Sequence, residues 1–299
     1  MMRNFILFTT LSAIMFTSCD NYQQDTYEEQ YVVESYLFAN APLPQVRLSK
    51  TIPAFEYYSF EDAAVSGAEV EVRLLSVDGN SIENTFAFDQ NRPGIYTTNS
   101  THHVLPLRTY ELAINIPETM HQITASTVVP DTFAIQSGFQ DTVLYQATEQ
   151  FEFTLSKSTY PGRQSIYIFS TLVEDPKVQN LTPFYADVYE DETDLIQFSN
   201  NSSGILNYAN FDENPDGTVT LKYPWIGITF YGETKMIAST IDDNLYDYIR
   251  TEEVQLGGST LSPGEIQNVL THVKGGIGLF ASIASDTVET YIRRANIGF

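Results

Sequence analysis

Apolar and polar residues alternate along much of the chain from Tyr31 onward, which is the pattern of strands with one buried face. The clearest run covers residues 68–76, where apolar side chains alternate with Glu and Arg. Residues 109–116 and 123–129 repeat this two-residue period. We therefore predict β-strands in all three segments, each with its apolar side chains facing a common core.

Turn sequences rich in Gly, Pro, Asn and Asp lie between these segments, at residues 77–80 and 91–94. Short strands joined by such turns predict a β-sandwich of about 100 residues. We place this sandwich at residues 31–130, because the strand pattern ends at Pro130.

The remaining residues, 131–299, are predicted to form a larger β-rich domain. Strands are indicated at 165–173, 218–223 and 225–231, and a glycine-rich closing strand is indicated at 275–280.

One helix is predicted near residues 242–253, where apolar residues recur at helical spacing from Leu245. Thr240 or Asp242 can cap its first turn. Residues 190–217 are polar, and Asn200-Asn201-Ser202-Ser203-Gly204 within them predict an exposed loop. The predicted fold class is therefore all-β, with a β-sandwich followed by a larger C-terminal β-domain that carries one short helix.

Residues 1–18 have the plan of a secretory signal peptide, with Arg3, an apolar run at 5–16 and small residues after it. As a helix the run is ~18 Å long at ~1.5 Å per residue, which is too short for a bilayer core of ~30 Å. Cys19 follows directly and is the only cysteine in the chain. An ordinary signal peptide followed by an unrelated cysteine is the alternative interpretation.

Residues Phe16-Thr17-Ser18-Cys19 resemble the lipobox of bacterial lipoproteins. The resemblance implies cleavage before Cys19 and acylation of that residue, so that lipid holds the mature chain at a membrane. With Cys19 acylated, the chain has no cysteine left for a disulfide or a thiol nucleophile.

Residues 19–30 are polar and acidic and predict a solvated tether before the first strand. They resemble the export signal of surface lipoproteins in Bacteroidota, which implies display on the outside of the outer membrane. The formal net charge of −23 repels nucleic acid, so no nucleic-acid partner is expected.

The N-terminal segment resembles the carboxypeptidase regulatory-like domain, an Ig-like sandwich that serves secreted proteins as a structural or binding module. The resemblance lies in residues 66–72, 93–96 and 110–112. It implies that the predicted sandwich at 31–130 is Ig-like. The usual Pro-Gly before the last Tyr strand is replaced here by Pro-Leu-Arg at 106–108.

The order of features along the whole chain resembles a family of Bacteroidota surface lipoproteins known only as a domain of unknown function, numbered 4249. These features are the lipobox and the segments 31–37, 46–50, 66–68, 93–96, 245–249 and 275–280. Genes of this family often lie beside TonB-dependent outer-membrane receptors, which implies a receptor partner in nutrient binding or uptake. The family has no established reaction, so the resemblance implies no catalytic residue.

Residues 212–217 match the first half of a calcium-binding loop, with Asp212, Asn214 and Asp216 at alternate positions before a glycine. Such a loop needs a bidentate Glu at its twelfth position, which is Tyr223 here. An ordinary polar turn between strands is the alternative interpretation. Structural calcium is the only cofactor that the sequence suggests.

Aromatic residues Tyr57, Tyr58 and Phe60 cluster in a predicted loop. Exposed rings on a loop can stack on sugars or dock on a protein, which makes these three candidates for contacts with a ligand or partner. Packing of the rings against the edge of the sandwich is an equally good interpretation.

No catalytic motif is evident in the sequence, and we predict that the protein is not an enzyme. The carboxylates at 190–194 are sequence neighbours rather than the separated pair that glycosidases use. His102 and His103 would point to opposite faces of a strand and so cannot readily share a metal, and we interpret the four histidines, which include His121 and His272, as surface or loop residues. The G-x-S-x-G, H-E-x-x-H and P-loop sequences do not occur.

Two functional hypotheses follow from these patterns and resemblances. The first is a non-enzymatic surface lipoprotein that assists a TonB-dependent receptor in nutrient uptake. The second is a glycan-binding or adhesive surface protein that acts alone on a glycan or peptide ligand. A hydrolase is a third hypothesis that no motif in the sequence supports.

The variant Cys19→Ala tests the predicted anchor. The variant protein should leave the membrane pellet during a high-salt wash, because acyl chains supply the lasting membrane affinity, whereas the wild type stays in the pellet. A variant that remains fully membrane-bound after that wash would contradict lipid anchoring at Cys19.

Overall fold

The computed structural model describes residues 27–53, 55–137, 140–147, 151–206, 211–253 and 269–295. Within these ranges the chain is mainly β-structure with short helices, which confirms the predicted all-β fold class. None of the helices in these ranges is long and apolar enough to cross a membrane.

The strands up to residue 155 are β1 (Tyr31–Phe38), β2 (Val46–Lys50), β3 (Glu69–Leu75), β4 (Ile82–Arg92), β5 (Ile95–Thr97), β6 (Thr109–Ile116), β7 (His121–Val128), β8 (Ile135–Ser137), β9 (Thr142–Leu144) and β10 (Phe151–Leu155). The later strands are β11 (Ile166–Leu172), β12 (Asn200–Ile205), β13 (Phe211–Glu213), β14 (Val219–Tyr223), β15 (Gly232–Ile241), β16 (Val273–Lys274) and β17 (Ile277–Arg293). The α-helices are α1 (Phe60–Ala63), α2 (Pro183–Val188), α3 (Glu192–Ser199) and α4 (Asp243–Glu253).

Thirteen of these strands form one large mixed sheet, and the other four form a smaller sheet. The order in the large sheet is β12-β11-β15-β17-β1-β2-β5-β4-β3-β6-β7-β16, with β9 beside one end of β17. The order in the small sheet is β13-β14-β10-β8. Most neighbouring strands are antiparallel, but β17 runs parallel to β1 and to β9.

The first half of the chain forms strands where the alternating pattern predicts them. Strands β3, β6 and β7 occupy the three predicted segments, and Val72, Leu112 and Ala125 lie side by side across them. Their buried faces pack with those of β1 and β2 to form the first hydrophobic core. Val273 and Phe280, which come from the C-terminal part of the chain, complete this core.

The second hydrophobic core lies between the small sheet and the β11–β15 part of the large sheet. Phe153 of the small sheet packs against Phe169 of the large sheet, with ring centroids 4.8 Å apart. Trp225 is partly buried against this core and contacts Tyr145 edge-on at 5.5 Å. The two sheets therefore enclose an interior rich in aromatic side chains.

Strand β17 joins the two halves of the molecule. It pairs with both β1 and β15, and it contributes Phe280 to the first core and Ile292 to the second. Gly278 permits the close approach to β1, because a Cβ at this position would lie 2.1 Å from the Val33 carbonyl oxygen. The domain division at residue 130 stays a prediction, and the large sheet continues across it.

The exposed loop predicted at 200–204 is wrong, because these residues form most of β12, and the polar residues before them include α3. The Asp191 side chain accepts hydrogen bonds from the N–H groups of Thr193 and Asp194, and the Asp194 side chain accepts one from the N–H of Asp191. This reciprocal capping box stabilises the first turn of α3. The acidic run at 190–194 therefore begins a helix.

The strand predicted at 225–231 is also wrong, since residues Trp225–Gly227 form a 3₁₀ turn and the strand that follows is β15. The buried face of β15 contains Thr234, Met236 and Ala238. Small and polar side chains on a buried face obscure the contrast between apolar and polar positions, so the two-residue period is hard to recognise in this segment.

Helix α4 forms where the sequence predicts it, and Asp242 is its cap. Its carboxylate accepts a hydrogen bond from the N–H of Leu245 at 2.9 Å and another from the Thr127 hydroxyl at 2.6 Å. The Ser282 hydroxyl lies 2.6 Å from that of Thr127 and donates to the Val128 carbonyl at 3.0 Å. This buried polar cluster links the start of α4 to β7 and β17.

Asn244 extends the same connection. Its amide nitrogen donates to the carbonyl oxygens of Ser126 and Phe280, each at 2.7 Å. Burial of Asp242 raises the pKa of its carboxyl group to about 6, although the hydrogen bonds that it accepts favour the charged form. The first turn of α4 is thus held by polar contacts to both neighbouring strands.

The pH dependence of stability tests the burial of Asp242. Because its pKa is raised on folding, the folded protein binds this proton at a higher pH than the unfolded chain does. The contribution of Asp242 to the free energy of unfolding should therefore increase by about 1 kcal/mol between pH 7 and pH 5, and should be lost as the pH rises through 6. Urea unfolding at the two pH values measures this change.

The variant Asp242→Asn should lack that increase, and Asp89→Asn, on an exposed position of β4, should retain it. Apart from residues 242 and 89, the three proteins carry the same carboxyl groups, so the comparison isolates residue 242. An equal pH response in wild type and Asp242→Asn would contradict the proposed role of burial.

Candidate functional site

An apolar cavity lies between β12, β14 and the 3₁₀ turn at 225–227. Its volume is about 370 Å³, within the range of sites for small organic ligands. It is lined by Phe169, Tyr185, Asn201, Ser202, Ser203, Leu206, Leu221, Lys222, Tyr223, Pro224, Ile226 and Gly227. A larger depression of about 590 Å³ has mainly polar walls, in which Lys235 pairs with Glu174.

The inner wall of the cavity is part of the second hydrophobic core. Phe169, Leu221 and Tyr223 are almost completely buried, and the rings of Phe169 and Tyr223 meet edge to face at 6.1 Å. Side chains packed in this way keep one rotamer, so the wall is formed before any ligand arrives.

The polar groups of the cavity wall are held by backbone acceptors. The Tyr223 hydroxyl donates to the Gly227 carbonyl at 3.2 Å, and the Tyr185 hydroxyl donates to the Ile226 carbonyl at 2.9 Å. The Asn201 amide nitrogen lies 3.1 Å from both the Tyr185 hydroxyl and the Gly227 carbonyl, to which it donates. Burial raises the pKa of Tyr223 and of Tyr185, so both phenols stay neutral at physiological pH.

Gly227 allows the turn to pack on the floor of the cavity. A Cβ at this position would lie 2.5 Å from the ring of Tyr223, so any larger residue would displace that ring. The sequence does not predict this arrangement, because the lining residues come from four separate segments. The Pro224-Trp225 pair before the glycine is the only local sign of a turn at this site.

The structure separates the three predicted aromatic loop residues. Tyr57 and Tyr58 are exposed, together with Phe55. Phe60 instead begins α1, and the guanidinium group of Arg47 lies 4.5 Å from its ring centroid. Only the two tyrosines are therefore presented to solvent as the sequence suggests.

The predicted calcium residues lie at a hairpin between β13 and β14. The Asn214 amide nitrogen donates to the hydroxyls of Thr218 and Thr220, at 2.8 and 3.0 Å. The Asp216 carboxylate accepts from the N–H and the hydroxyl of Thr218, which lowers its pKa. Asp212 pairs with Thr220 through the backbone of the hairpin. Asn214 and Asp216 thus serve the turn itself, and calcium binding stays a prediction.

The remaining predicted residues do not come together. Cys19 lies outside the described residues, which begin at Tyr27. His102 stacks on Phe86 and hydrogen bonds to Tyr110, and its neighbour His103 hydrogen bonds to the Thr101 carbonyl. His121 and His272 lie elsewhere in the fold. In the described part of the chain, no three His, Cys, Asp or Glu side chains are grouped closely enough to hold a metal.

Comparison with solved structures gives only distant likenesses. Escherichia coli alpha-2-macroglobulin activated by porcine elastase is 9% identical over 72% of this chain, with a TM-score of 0.22, and the match spans only 18% of that protein. Three N-terminal domains of the highly immunogenic outer capsid protein of bacteriophage RB49 are 10% identical, with a TM-score of 0.23, over 90% of this chain and 71% of theirs. TM-scores this low carry no inference.

Comparison with curated protein sequences gives no match. A family model matches the chain over residues 20–289, which include every strand from β1 to β16 and most of β17. The match confirms the part of the resemblance that concerns the domain of unknown function. The chain belongs to the DUF4249 family, a domain of unknown function.

Proposed function

We propose that the protein is a non-enzymatic lipoprotein of the outer-membrane surface that binds a small nutrient and assists a TonB-dependent receptor in its uptake. The observation that carries this proposal is the preformed aromatic cavity beside Tyr185 and Tyr223. A rigid, mostly apolar cavity with a few fixed polar groups is the usual form of a small-molecule site.

The chemistry of the cavity wall favours binding over catalysis. The Tyr223 and Tyr185 hydroxyls and the Asn201 amide already hydrogen bond to backbone carbonyls. A nucleophile or general base needs a neighbour that activates it, and the neutral phenols here have acceptors rather than activating bases. Such groups can orient a bound molecule without reacting with it.

The proposed location rests on the sequence before the first strand. Acylation of Cys19 would attach the chain to the membrane, and the acidic tether would separate it from the folded part. Capture of a nutrient at the cell surface is useful only if it reaches a transporter, which supports a receptor as the partner.

A stand-alone glycan-binding or adhesive protein is the second candidate function. The exposure of Tyr57 and Tyr58 favours it, since rings on loops are common contacts for sugars. The two functions differ in whether the protein travels with a receptor.

A detergent pull-down of the tagged full-length protein from its native membrane, followed by mass spectrometry, tests the first function. We expect a TonB-dependent receptor in near-stoichiometric amount. We also expect a small organic molecule in the eluate, because a preformed cavity retains its ligand during purification when the affinity is high. Recovery of the lipoprotein without any receptor would favour the stand-alone function instead.

Two variants connect the bound molecule to the cavity. Ser202→Phe places a phenyl ring in the cavity lining. Asn200→Phe also introduces a phenyl ring, two residues away on β12 and outside the lining. The molecule should be lost from Ser202→Phe and kept by Asn200→Phe, while both retain the receptor. Retention of the molecule by Ser202→Phe would place its site elsewhere.

A further inference from the structure

Four large apolar side chains are exposed at one end of the molecule. Phe55, Tyr57 and Tyr58, between β2 and α1, are 92%, 94% and 52% exposed, and Met120, in the β6–β7 turn, is 87% exposed. We call these four residues the proximal apolar surface. Exposed apolar residues that are grouped in this way usually mark a contact with a partner or a membrane.

The proximal apolar surface surrounds the point where the chain enters the fold. The Tyr27 hydroxyl donates to the Thr51 carbonyl. The Thr51 N–H donates to the Gln30 carbonyl at 2.9 Å, and the Gln30 N–H donates to the Thr51 hydroxyl at 3.0 Å. The Tyr31 hydroxyl lies 3.3 Å from that of Thr119, next to Met120. Both exposed segments are thus attached to the first described residues of the chain.

The length of the tether brings this end of the molecule close to Cys19. Eight chain steps separate residues 19 and 27, which span at most ~29 Å at ~3.3–3.6 Å per step. Six steps separate Thr51 from Tyr57, for a reach of at most ~22 Å. A lipid on Cys19 therefore holds Phe55, Tyr57 and Met120 within reach of the same bilayer.

We propose that the proximal apolar surface inserts into the interface of the bilayer that holds Cys19, and so fixes the orientation of the folded part. Tyrosine and other aromatic residues concentrate at membrane interfaces, where an apolar ring and a polar edge are both satisfied. The tether sets the distance from the membrane, and the proximal apolar surface sets the angle. The closeness of this surface to the bilayer depends on the proposed acylation of Cys19. The affinity of the proximal apolar surface for lipid does not depend on that acylation.

The arrangement of the rings suits lipid better than a sugar. In the described part of the chain, none of the rings of Phe55, Tyr57 and Tyr58 stacks on another aromatic ring. A sugar-binding platform needs rings held flat by their neighbours, whereas rings that insert among lipids need only exposure and reach.

The charges around the proximal apolar surface indicate which lipids it prefers. Glu56, Glu61, Asp62 and Glu118 are exposed there, and the nearby Lys50 is already paired with Glu29 at 2.6 Å. These carboxylates repel an anionic surface and provide no electrostatic attraction. Binding should therefore depend on burial of apolar area, and zwitterionic lipid should be preferred to anionic lipid.

Vesicle sedimentation tests this inference on a chain that begins at Asp20, which keeps every described element and has no lipid. The chain should sediment with phosphatidylcholine vesicles, weakly and reversibly, and less with vesicles enriched in phosphatidylglycerol. The double variant Phe55→Ser/Tyr57→Ser should bind phosphatidylcholine about tenfold more weakly, because it removes apolar area that lipid would bury. Both side chains are almost fully exposed, so the fold should persist.

Val77→Ser is the matched control. Val77 is 88% exposed in the β3–β4 turn. The start of β3, at Glu69, pairs with Asn115 near the end of β6, so the turn that follows β3 lies at the opposite end of these strands from Met120. The Val77→Ser variant should bind vesicles like the wild type. Equal binding by the wild type and the Phe55→Ser/Tyr57→Ser variant, or no binding by the wild type, would overturn the proposal.

Two further outcomes separate this inference from the function proposed above. If the full-length Phe55→Ser/Tyr57→Ser variant loses the receptor in a pull-down and keeps its vesicle affinity, the surface binds protein and the lipid proposal is wrong. If the wild type shows the predicted vesicle binding and Cys19→Ala stays membrane-bound, the proposed contact of the proximal apolar surface with lipid is supported. The proposed anchoring by acylated Cys19 is then wrong.

Discussion

The pairing of β17 with β1 and β15 is the constraint on which the rest of the structure depends. The parallel register from Val32–Ile277 to Phe38–Ile283 closes the first core with a strand from the other end of the chain. The same strand continues along β15 to place Ile292 in the second core. Formation of these contacts requires closure of a very long loop, which must be compensated by burial in both cores.

Buried polar groups make this closure specific. The carboxylate of Asp242 accepts from Thr127, and Ser282 joins the same cluster from β17, so a shift of β17 by one residue would leave these groups without partners. A continuous sheet also has a functional consequence. Because both cores share β17, a membrane contact at Met120 and Tyr57 would orient the cavity beside Tyr223, and the proposed nutrient site would then face the proposed receptor in a constant direction.

Local signals in the sequence predict the parts of the fold that local physics determines. Strand β6 alternates buried and partly exposed residues along its whole length, and α4 has both its cap at Asp242 and its apolar face in one short segment. Strand β15 escapes prediction because Thr234 and Ala238 are buried without being strongly apolar. The cavity escapes because Phe169, Tyr185 and Tyr223 meet only in three dimensions. The sequence was equally compatible with an exposed Tyr57 and with a Tyr57 packed against the edge of the sandwich. Only the three-dimensional structure shows that its ring is exposed.

The central claim, that β17 unites the two halves into one cooperative unit, is tested most directly by urea unfolding with two probes. The fluorescence of Trp225, the only tryptophan, reports on the second half, and hydrogen exchange of the β6 amides reports on the first. If β17 couples the halves, both probes will show one transition with the same midpoint and the same slope. Two separate midpoints would mean that the halves unfold independently, and would contradict the account.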